Sequence, residues 1–340
     1  MTLRFSASGL EIPGDKPSRN PLHHLPVLLD TVLRGLGQVM FQNNSYTGLL
    51  FLVGLAVNSL LYAAAALVGA ASATLAAMAM GAGRDSVRAG MFGFNGGLTG
   101  IALLYFLEPG ALTWGCVLLA AVCSTLMMAA MQAAFSVWKL PALTAPFVFT
   151  SLVFFLAAAR FGRLETTGGL PTAGLPAQAS VEGVVTMAAV GEGLFTGIAQ
   201  VFFQDSVFSG VVFVLGLLVA SRRACLAALL GSLVGLLVAW LMGAAEPAIR
   251  AGAFGFNSVL AAIALTSVFL VPGRAVAVYA LLAAAVAPFV AAACAAALEP
   301  LGMPALTLPF VLVTWVFLFA CRGLARIQAG SSTAPRGSQD

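Results

Sequence analysis

The chain has 340 residues, of which 61% are hydrophobic and 8% are charged, whereas a soluble domain has roughly 25% charged residues. This composition excludes a soluble protein and predicts a multi-pass integral membrane protein in contact with membrane lipid. The formal net charge of +4 comes from basic residues scattered over short loops, so we expect no nucleic-acid partner.

The first 26 residues are predicted to form an N-terminal tail. Residues 1–20 contain several charged side chains and no apolar core of a signal peptide. His23 and His24 are the two histidines of the chain and lie in this tail. No histidine is therefore available for chemistry within the membrane.

A short apolar segment at about 27–42 comes next. It carries Asp30 and Arg34 and is followed by polar residues, so it is predicted to be a re-entrant half-helix that faces protein or water. Five segments long enough for membrane-spanning helices follow, at about 46–66, 68–82, 92–107, 111–137 and 142–160. Together these segments define a first repeat, residues 27–161.

The second half has the same pattern. A Gly/Pro-rich stretch at 162–185 is predicted to be an external linker, and a second half-helix at about 192–204 carries Glu192. Five further spans are predicted, at about 207–221, 224–243, 254–271, 274–298 and 305–322. They define a second repeat, residues 186–323, which is followed by a C-terminal tail, residues 324–340.

Two motifs indicate that the halves descend from one repeated unit. Gly93-Phe94-Asn95 recurs as Gly255-Phe256-Asn257, and the stretch 141–147 recurs as 304–310. The offset is 162 residues for the first motif and 163 for the second, so a single-residue slip separates them. A repeat of this length is a half-domain, which in an apolar protein predicts two structural repeats that meet at a central site.

The number of spans and the charge of the loops predict how the repeats are oriented. Five is an odd number, so the second repeat must insert upside down. With a cytoplasmic N-terminus, twelve of the sixteen Lys and Arg residues fall inside and only Arg160, Arg163 and Arg250 fall outside. The predicted fold is therefore all-α, with two inverted repeats of five transmembrane helices plus one re-entrant half-helix each, a pore at the repeat interface and both termini cytoplasmic.

Equivalent glutamines on the two half-helices, Gln38 and Gln200, are candidate pore residues. A buried amide offers donors and an acceptor, which suits a neutral solute with C=O and N–H groups. The alternative is that each amide ties its half-helix to neighbouring elements.

Four phenylalanines that recur beside Gly, Asn or Gln are predicted to form an aromatic gate at each mouth. These pairs are Phe41 with Phe94 and Phe203 with Phe256. A flat molecule would pass between the rings, where weak N–H to π contacts are available, and Leu98 and Leu260 would lengthen the slot by one helical turn. Because 24 of the 340 residues are Phe, packing against lipid is the alternative.

The Pro-x-Leu-Thr-x-Pro-Phe motif supplies hydroxyl groups. Thr144 and Thr307 are predicted to meet at a midplane constriction, unless each bonds back to its own helix. Pro146 and Pro309 lack an N–H, so the carbonyl four residues before each proline is predicted to be free for a permeant.

The predicted spans lack the paired acids, basic chains and histidines that couple transport to ions. The chain also lacks the G-x-x-x-x-G-K-[ST] motif of an ATP-driven pump. Its five cysteines lie singly, without C-x-x-C, and are interpreted as packing residues. No catalytic residue, metal site or cofactor is predicted, and passive movement of an uncharged solute follows.

At these residues the chain resembles the urea transporter family, bacterial branch, over roughly residues 27–322. Two L-P-x-L-T-x-P-F-type signatures, Leu140–Phe147 and Met303–Phe310, carry the resemblance with the two Gly-Phe-Asn segments. The resemblance implies a homotrimer with one pore in each protomer and two urea sites flanking a narrow middle. One mouth would hold Gln38, Phe41, Phe94 and Leu98, the other Gln200, Phe203, Phe256 and Leu260, with Thr144 and Thr307 between them.

The sequence thus predicts passive, channel-like transport of urea, in a bacterial inner membrane. The nearest alternative is a channel for other small neutral solutes, such as short amides, ammonia, water or glycerol. From another class, an intramembrane enzyme would need a nucleophile and a base, and the matched positions offer only Thr and Gln.

Overall fold

The structure is a computed structural model that describes residues 25–176 and 181–330, and within these ranges the regular structure is almost wholly helical. The first half contains α1 Leu25–Gln38, α2 Ser45–Asn58, α3 Leu60–Ala79, α4 Arg84–Arg88, α5 Gly93–Phe106, α6 Ala111–Phe135 and α7 Ala145–Ala158. The second half contains α8 Met187–Ala199, α9 Val207–Ala220, α10 Arg222–Leu241, α11 Glu246–Arg250, α12 Phe256–Ile263, α13 Arg274–Leu298 and α14 Leu308–Ala320. Most of the predicted N-terminal tail, a short part of the linker and the last ten residues lie outside the described ranges.

The two halves contain the same helices in the same order. The helices α2 and α9 have 14 residues each, α3 and α10 have 20, and α6 and α13 have 25. The duplication read from two short motifs therefore extends through the whole helical framework.

Four of the described helices, α3, α6, α10 and α13, have at least 18 residues and are apolar enough to span a membrane. A fifth span results if α8 and α9, which meet at a bend of 74°, are counted as one. Other apolar helices are shorter, and α7 and α14 begin at or beside buried residues inside the protein. The protein is an all-helical membrane protein, while the number of ten spans stays a prediction.

The predicted boundary between the first two spans is wrong. Hydropathy predicts it near residue 67, but α2 ends at Asn58 and the Ser59 side chain caps α3 by accepting the N–H of Tyr62 at 3.3 Å. Ser221 caps α10 in the same way, at 3.2 Å from the nitrogen of Ala224. A serine cap ends one helix and starts the next without interrupting an apolar run, so hydropathy alone does not reveal it.

The predicted half-helices are α1 and α8, and the turn after each contains a residue with left-handed backbone. The φ angle is 63° at Phe41 and 59° at Phe203, which is uncommon for a residue other than glycine. The side-chain amides of Gln42 and Gln204 donate across these turns to the carbonyl two residues earlier, at 2.7 Å in both halves. The chain then reverses into α2 or α9.

Helices α2 and α9 join the two halves through reciprocal hydrogen bonds. Thr47 Oγ1 donates to the carbonyl oxygen of Gly216 at 2.8 Å, and Ser209 Oγ donates to that of Gly54 at 2.8 Å. Each of these residues lies 162 positions from its counterpart. The contact therefore has the self-complementary form that a two-fold axis produces.

The single-residue slip between the motifs lies within the helix that carries Gly-Phe-Asn. The first copy, α5, is α-helical throughout, whereas α12 continues as a π-helix over Ala264–Phe269. After Ile101 the sequence is Ala-Leu-Leu-Tyr-Phe-Leu, and after Ile263 it is Ala-Leu-Thr-Ser-Val-Phe-Leu. One inserted residue is thus absorbed as a wider helical turn, which changes the offset from 162 to 163.

The chain folds back after the last helix of each half. Thr166 pairs with Leu107, and Ala329 pairs with Leu270, in two isolated antiparallel bridges. The start of the predicted linker and the described start of the predicted C-terminal tail therefore contact the repeats that they follow.

Gly48 in α2 leaves no room for a side chain, because a Cβ would lie 1.8 Å from the Leu33 carbonyl oxygen of α1. We expect Gly48→Ala to lower the thermal unfolding midpoint in detergent by about 5 °C or more. Gly115→Ala in α6, where a Cβ meets nothing within 4 Å, is the control and should not lower the midpoint. Equal midpoints for the two variants would contradict the close packing of α1 on α2.

Candidate functional site

The hydroxyl groups of Thr144 and Thr307 meet inside the protein. Their Oγ1 atoms are 2.6 Å apart, and both residues are buried. Each threonine immediately precedes α7 or α14 and has no preceding helical turn to bond back to. One hydroxyl donates to the other, so one O–H and several lone pairs of the pair remain for a third molecule.

Two buried asparagines hold the beginnings of α7 and α14. Asn95 Oδ1 accepts the N–H of Phe147 at 3.2 Å, and Asn257 Oδ1 accepts the N–H of Phe310 at 3.0 Å. These N–H groups lie in first helical turns, which offer them no partner of their own. The Gly-Phe-Asn motif thus positions the Pro-x-Leu-Thr-x-Pro-Phe motif, a role that the recurrence of Asn in both copies could have indicated.

The prediction of free carbonyls before the second prolines is wrong. The oxygen of Ala142 accepts the N–H of Ala145 at 3.2 Å, and that of Ala305 accepts the N–H of Leu308 at 3.0 Å. The residues before the threonines form a turn rather than helix, and each proline lies in the first turn of α7 or α14. The backbone N–H of a residue in the first helical turn has no carbonyl partner within the helix, so a proline there leaves no carbonyl without a hydrogen bond.

Gln38 and Gln200 are each bonded to the loop that precedes α5 or α12. Gln38 Nε2 donates to the Ala89 oxygen at 2.9 Å, and Gln200 Nε2 donates to the Ala251 oxygen at 3.1 Å. The alternative role, tying the half-helix to its neighbours, is therefore present. Both side chains are half-buried, and neither Oε1 accepts a hydrogen bond from the described residues, which leaves each oxygen available to a solute N–H.

The ring of Phe41 packs against rings of the opposite half. Its centroid lies 5.9 Å from that of Phe269 and 6.0 Å from that of Phe310, with the rings edge to face in both pairs. The left-handed turn after α1 thus places the Phe41 ring at the boundary between the halves.

The same arrangement recurs around Phe203, whose centroid lies 6.1 Å from Phe106 and 6.2 Å from Phe147. This cluster has an additional ring, Tyr105, at 5.3 Å. The equivalent stretch of the second half, Ser267-Val268 in the π-helix, contains no ring. The two clusters therefore occupy equivalent positions, but the Phe203 cluster is larger and more polar because it includes the Tyr105 ring and its hydroxyl group.

None of the ring contacts among the described residues joins the predicted gate pairs, Phe41 with Phe94 and Phe203 with Phe256. Phe94 is buried and Phe256 is half-buried. Leu98 and Leu260 are completely buried one turn further along α5 and α12. Three of these four residues are thus buried and Phe256 is partly so, and the gating role of all four stays a prediction.

Two surface clefts lie at equivalent places in the two halves. The first, of 580 Å³, has a charged and polar lining that includes Asp30, Thr31, Arg34, Asn43, Asp85 and Arg88. The second, of 370 Å³, has a lining that includes Glu192, Thr196, Asp205, Glu246 and Arg250. Ala89 and Ala251 also line these clefts, so each cleft borders the residue whose carbonyl accepts a hydrogen bond from a candidate glutamine.

In the second cleft, Arg250 lies between two carboxylates. Its guanidinium nitrogens are 2.8 Å from the Glu192 carboxylate and 2.7 Å from the Glu246 carboxylate. The hydrogen bond to Glu246, and to a smaller extent the one to Glu192, raises the pKa of Arg250. The equivalent residue, Arg88, is exposed and forms no ion pair within the described chain. In the first cleft the ion pair is formed instead by Arg34 and Asp30, at 2.7 Å, so the two clefts have their ion pairs at different arginine positions.

Within the described residues, no group of three His, Cys, Asp or Glu side chains is placed to hold a metal ion. What the structure joins instead is the uncharged pair of hydroxyls of Thr144 and Thr307, and each half adds one glutamine amide and one aromatic cluster at equivalent positions. An all-helical membrane protein with such an interior belongs to the class of membrane transport proteins for neutral solutes.

Residues 29–322 match the model of the urea transporter family, and the chain belongs to that family, as the motifs predicted. It is 30% identical to urea transporter 1 of Ovis aries over 294 residues, which cover 85% of this chain and 76% of the relative. It is 29% identical to urea transporter 1 of Rattus norvegicus over 315 residues, 90% of this chain and 82% of the relative. The protein transports urea across a membrane and is not an enzyme.

The ion pairs of Arg250 support the backbone that positions Gln200. Thr196 Oγ1 donates to the Arg250 carbonyl at 2.7 Å, and the next carbonyl, that of Ala251, holds the Gln200 amide. We expect Arg250→Met to reduce urea flux about fivefold, the equivalent of one weakened hydrogen bond. Glu192 would then face Glu246 without a cation between them.

The matched control is Arg88→Met, which removes the equivalent but unpaired cation and should leave urea flux close to that of the wild type. Both variants are measured by light scattering in proteoliposomes at equal protein density. Equal loss of flux in the two variants would contradict a specific role for the ion pairs of the second cleft.

Proposed function

We propose that each protomer carries urea passively through one path, and that this path passes the contact between Thr144 and Thr307. The hydrogen bond between these hydroxyls supports the proposal, because it joins equivalent residues of both halves in the buried interior. Urea has one carbonyl and two amino groups, and a pair of hydroxyls both donates to a carbonyl and accepts from amino groups.

We propose further that the halves are inverted repeats. Beyond the threonine pair, α14 passes Pro141, whose carbonyl accepts the indole N–H of Trp315 at 2.8 Å, and near its end Arg322 donates to the carbonyl of Trp138. As the chain proceeds along α14 away from Thr307, its residues thus contact residues that lie progressively further before Thr144. This course of α14 beside the segment that precedes α7 supports opposite directions for the two helices, as expected when one repeat is upside down.

From either side, urea would enter a cleft, meet the free oxygen of a glutamine, pass a phenylalanine at a left-handed turn and reach the threonines. The first mouth comprises Gln38, Phe41, Phe94 and Leu98. The second mouth comprises Gln200, Phe203, Phe256 and Leu260. Since the rings around Phe41 and Phe203 come from the opposite half, each mouth depends on both repeats.

The path must offset the loss of water from urea, because a polar group buried without a partner costs on the order of 2–7 kcal/mol. Amide oxygens, hydroxyls and the faces of aromatic rings replace part of that hydration. Among the buried residues of the described chain there is no acidic or basic side chain. The path therefore suits an uncharged solute and needs no ion gradient.

The proposed assembly is a homotrimer in a bacterial inner membrane, with both termini cytoplasmic, repeats at 27–161 and 186–323 and an external linker at 162–185. Loop charge supports the orientation, and the family supports one path in each protomer. Exposed apolar side chains, such as Leu112, Leu119 and Leu126 of α6, supply surface for lipid or for a neighbouring protomer.

Solute flux into proteoliposomes tests the proposed function. Light scattering with urea, thiourea, acetamide and glycerol should show urea entering fastest and without an ion gradient. Urea flux no greater than in empty liposomes would refute the proposal, and equal flux of all four solutes would identify a general channel for small neutral molecules.

Removing either central hydroxyl should slow urea transport. We expect Thr144→Val and Thr307→Val each to lower urea permeability about fivefold or more, because one hydrogen bond in the interior is lost. The control is Thr74→Val, an equally conservative change of a buried threonine that bonds to its own helix at 2.7 Å. Wild-type permeability in both central variants, at normal expression and oligomer size, would remove the threonines from the path.

A further inference from the structure

Two buried hydroxyl groups in the described structure have no hydrogen-bond partner. They are Ser151 Oγ in α7 and Thr314 Oγ1 in α14, and both residues are completely buried. The residues are 163 positions apart, the offset that relates Thr144 to Thr307. The same unpaired group therefore occurs at the same place in both repeats.

Ser151 and Thr314 each lie on the same side of their helix as the central threonine that precedes it. Ser151 follows Thr144 by seven residues, and Thr314 follows Thr307 by seven. Seven residues are about two turns of an α-helix, or roughly 10 Å, and return to nearly the same face. In the proposed inverted repeat α7 and α14 leave the threonine pair in opposite directions, which would put one hydroxyl on either side of it.

In α7, Ser151 lies between two rings of the Phe203 cluster. Phe147, one turn before it, contacts Phe203 at 6.2 Å. Phe155, one turn after it, contacts Phe106 at 5.1 Å, and Phe106 in turn contacts Phe203 at 6.1 Å. The unpaired hydroxyl is thus at the level of this aromatic cluster.

The second repeat has the corresponding arrangement. Phe310, one turn before Thr314, contacts Phe41 at 6.0 Å, and Phe41 contacts Phe269 at 5.9 Å. Each aromatic cluster therefore has one buried hydroxyl beside it, contributed by α7 or by α14.

Three other buried threonines form a hydrogen bond within their own helix. Thr31, Thr74 and Thr99 donate to the carbonyl four residues earlier at 2.7–2.8 Å. A buried hydroxyl without a partner is destabilising, and an apolar residue of the same shape would remove that cost. Its presence at equivalent positions in both repeats therefore indicates a partner outside the protein chain.

We propose that Ser151 and Thr314 form a second pair of binding hydroxyls for the permeant, a small planar amide that offers both N–H and C=O groups. This inference rests on the proposed function. The path then has hydroxyl groups at three levels, one beside each aromatic cluster and one at the central pair. Urea exchanges hydrogen bonds between successive levels instead of losing all of them between a mouth and the centre.

The test measures urea permeability of proteoliposomes that contain Ser151→Ala, Thr314→Val or both changes. We expect each single change to lower permeability about three- to tenfold. The double change should lower it further, by roughly the sum of the two added resistances, because the two levels lie in series on one path. Ser151→Thr and Thr314→Ser keep a hydroxyl and should retain most of the flux. Thr150→Val, at the neighbouring buried position on another face of α7, is the matched control.

Thermal unfolding separates a transport role from a structural one. If the hydroxyls serve the permeant, Ser151→Ala and Thr314→Val keep or raise the unfolding midpoint while urea flux falls. Wild-type flux in both variants, or an equal loss of flux in Thr150→Val, would overturn the inference. That result would leave the proposed function intact, which fails only if the wild-type protein gives no urea flux.

Discussion

Backbone that starts or stops inside a membrane protein must have its polar groups satisfied by protein, because lipid offers no hydrogen bonds. This constraint accounts for the polar residues that occur twice in this chain. Asn95 and Asn257 pair with the beginnings of α7 and α14, and the glutamines after α1 and α8 bridge the left-handed turns. With the ends of four helices held in this way, the chain can leave two threonine hydroxyls in its interior for a solute.

The two-fold relationship between the halves gives one path with two similar entrances, while the differences between the halves make the entrances unequal. Tyr105 packs on Phe203, whereas the equivalent stretch of the second half, Ser267-Val268 in the π-helix, contains no ring. Arg250 is paired with two carboxylates, and Arg88 is not. A passive transporter reaches the same equilibrium from both sides, so these differences affect entry and exit rates rather than the direction of net flux.

Much of the fold and the central contact could be predicted from the sequence, because duplication and hydropathy report on whole helices and on matched positions. The meeting of Thr144 with Thr307 needed only the offset between the motifs. Other features depend on local hydrogen bonds that hydropathy does not report. The serine cap at Ser59 is such a feature. Its counterpart Ser221 precedes two arginines that mark a helix boundary, and subtracting the offset of 162 from Ser221 would have located Ser59. The carbonyl before Pro146 is another, since its pairing depends on where α7 begins.

The central claim, that urea passes between the two halves at the threonine pair, is tested most directly by blocking that point. In a variant without the five native cysteines, all of them free thiols, Thr307→Cys is treated with a small neutral thiol reagent and urea permeability is measured before and after. We expect modification of this residue to abolish urea flux, and excess urea to slow the modification. Complete modification with unchanged urea permeability would contradict the claim.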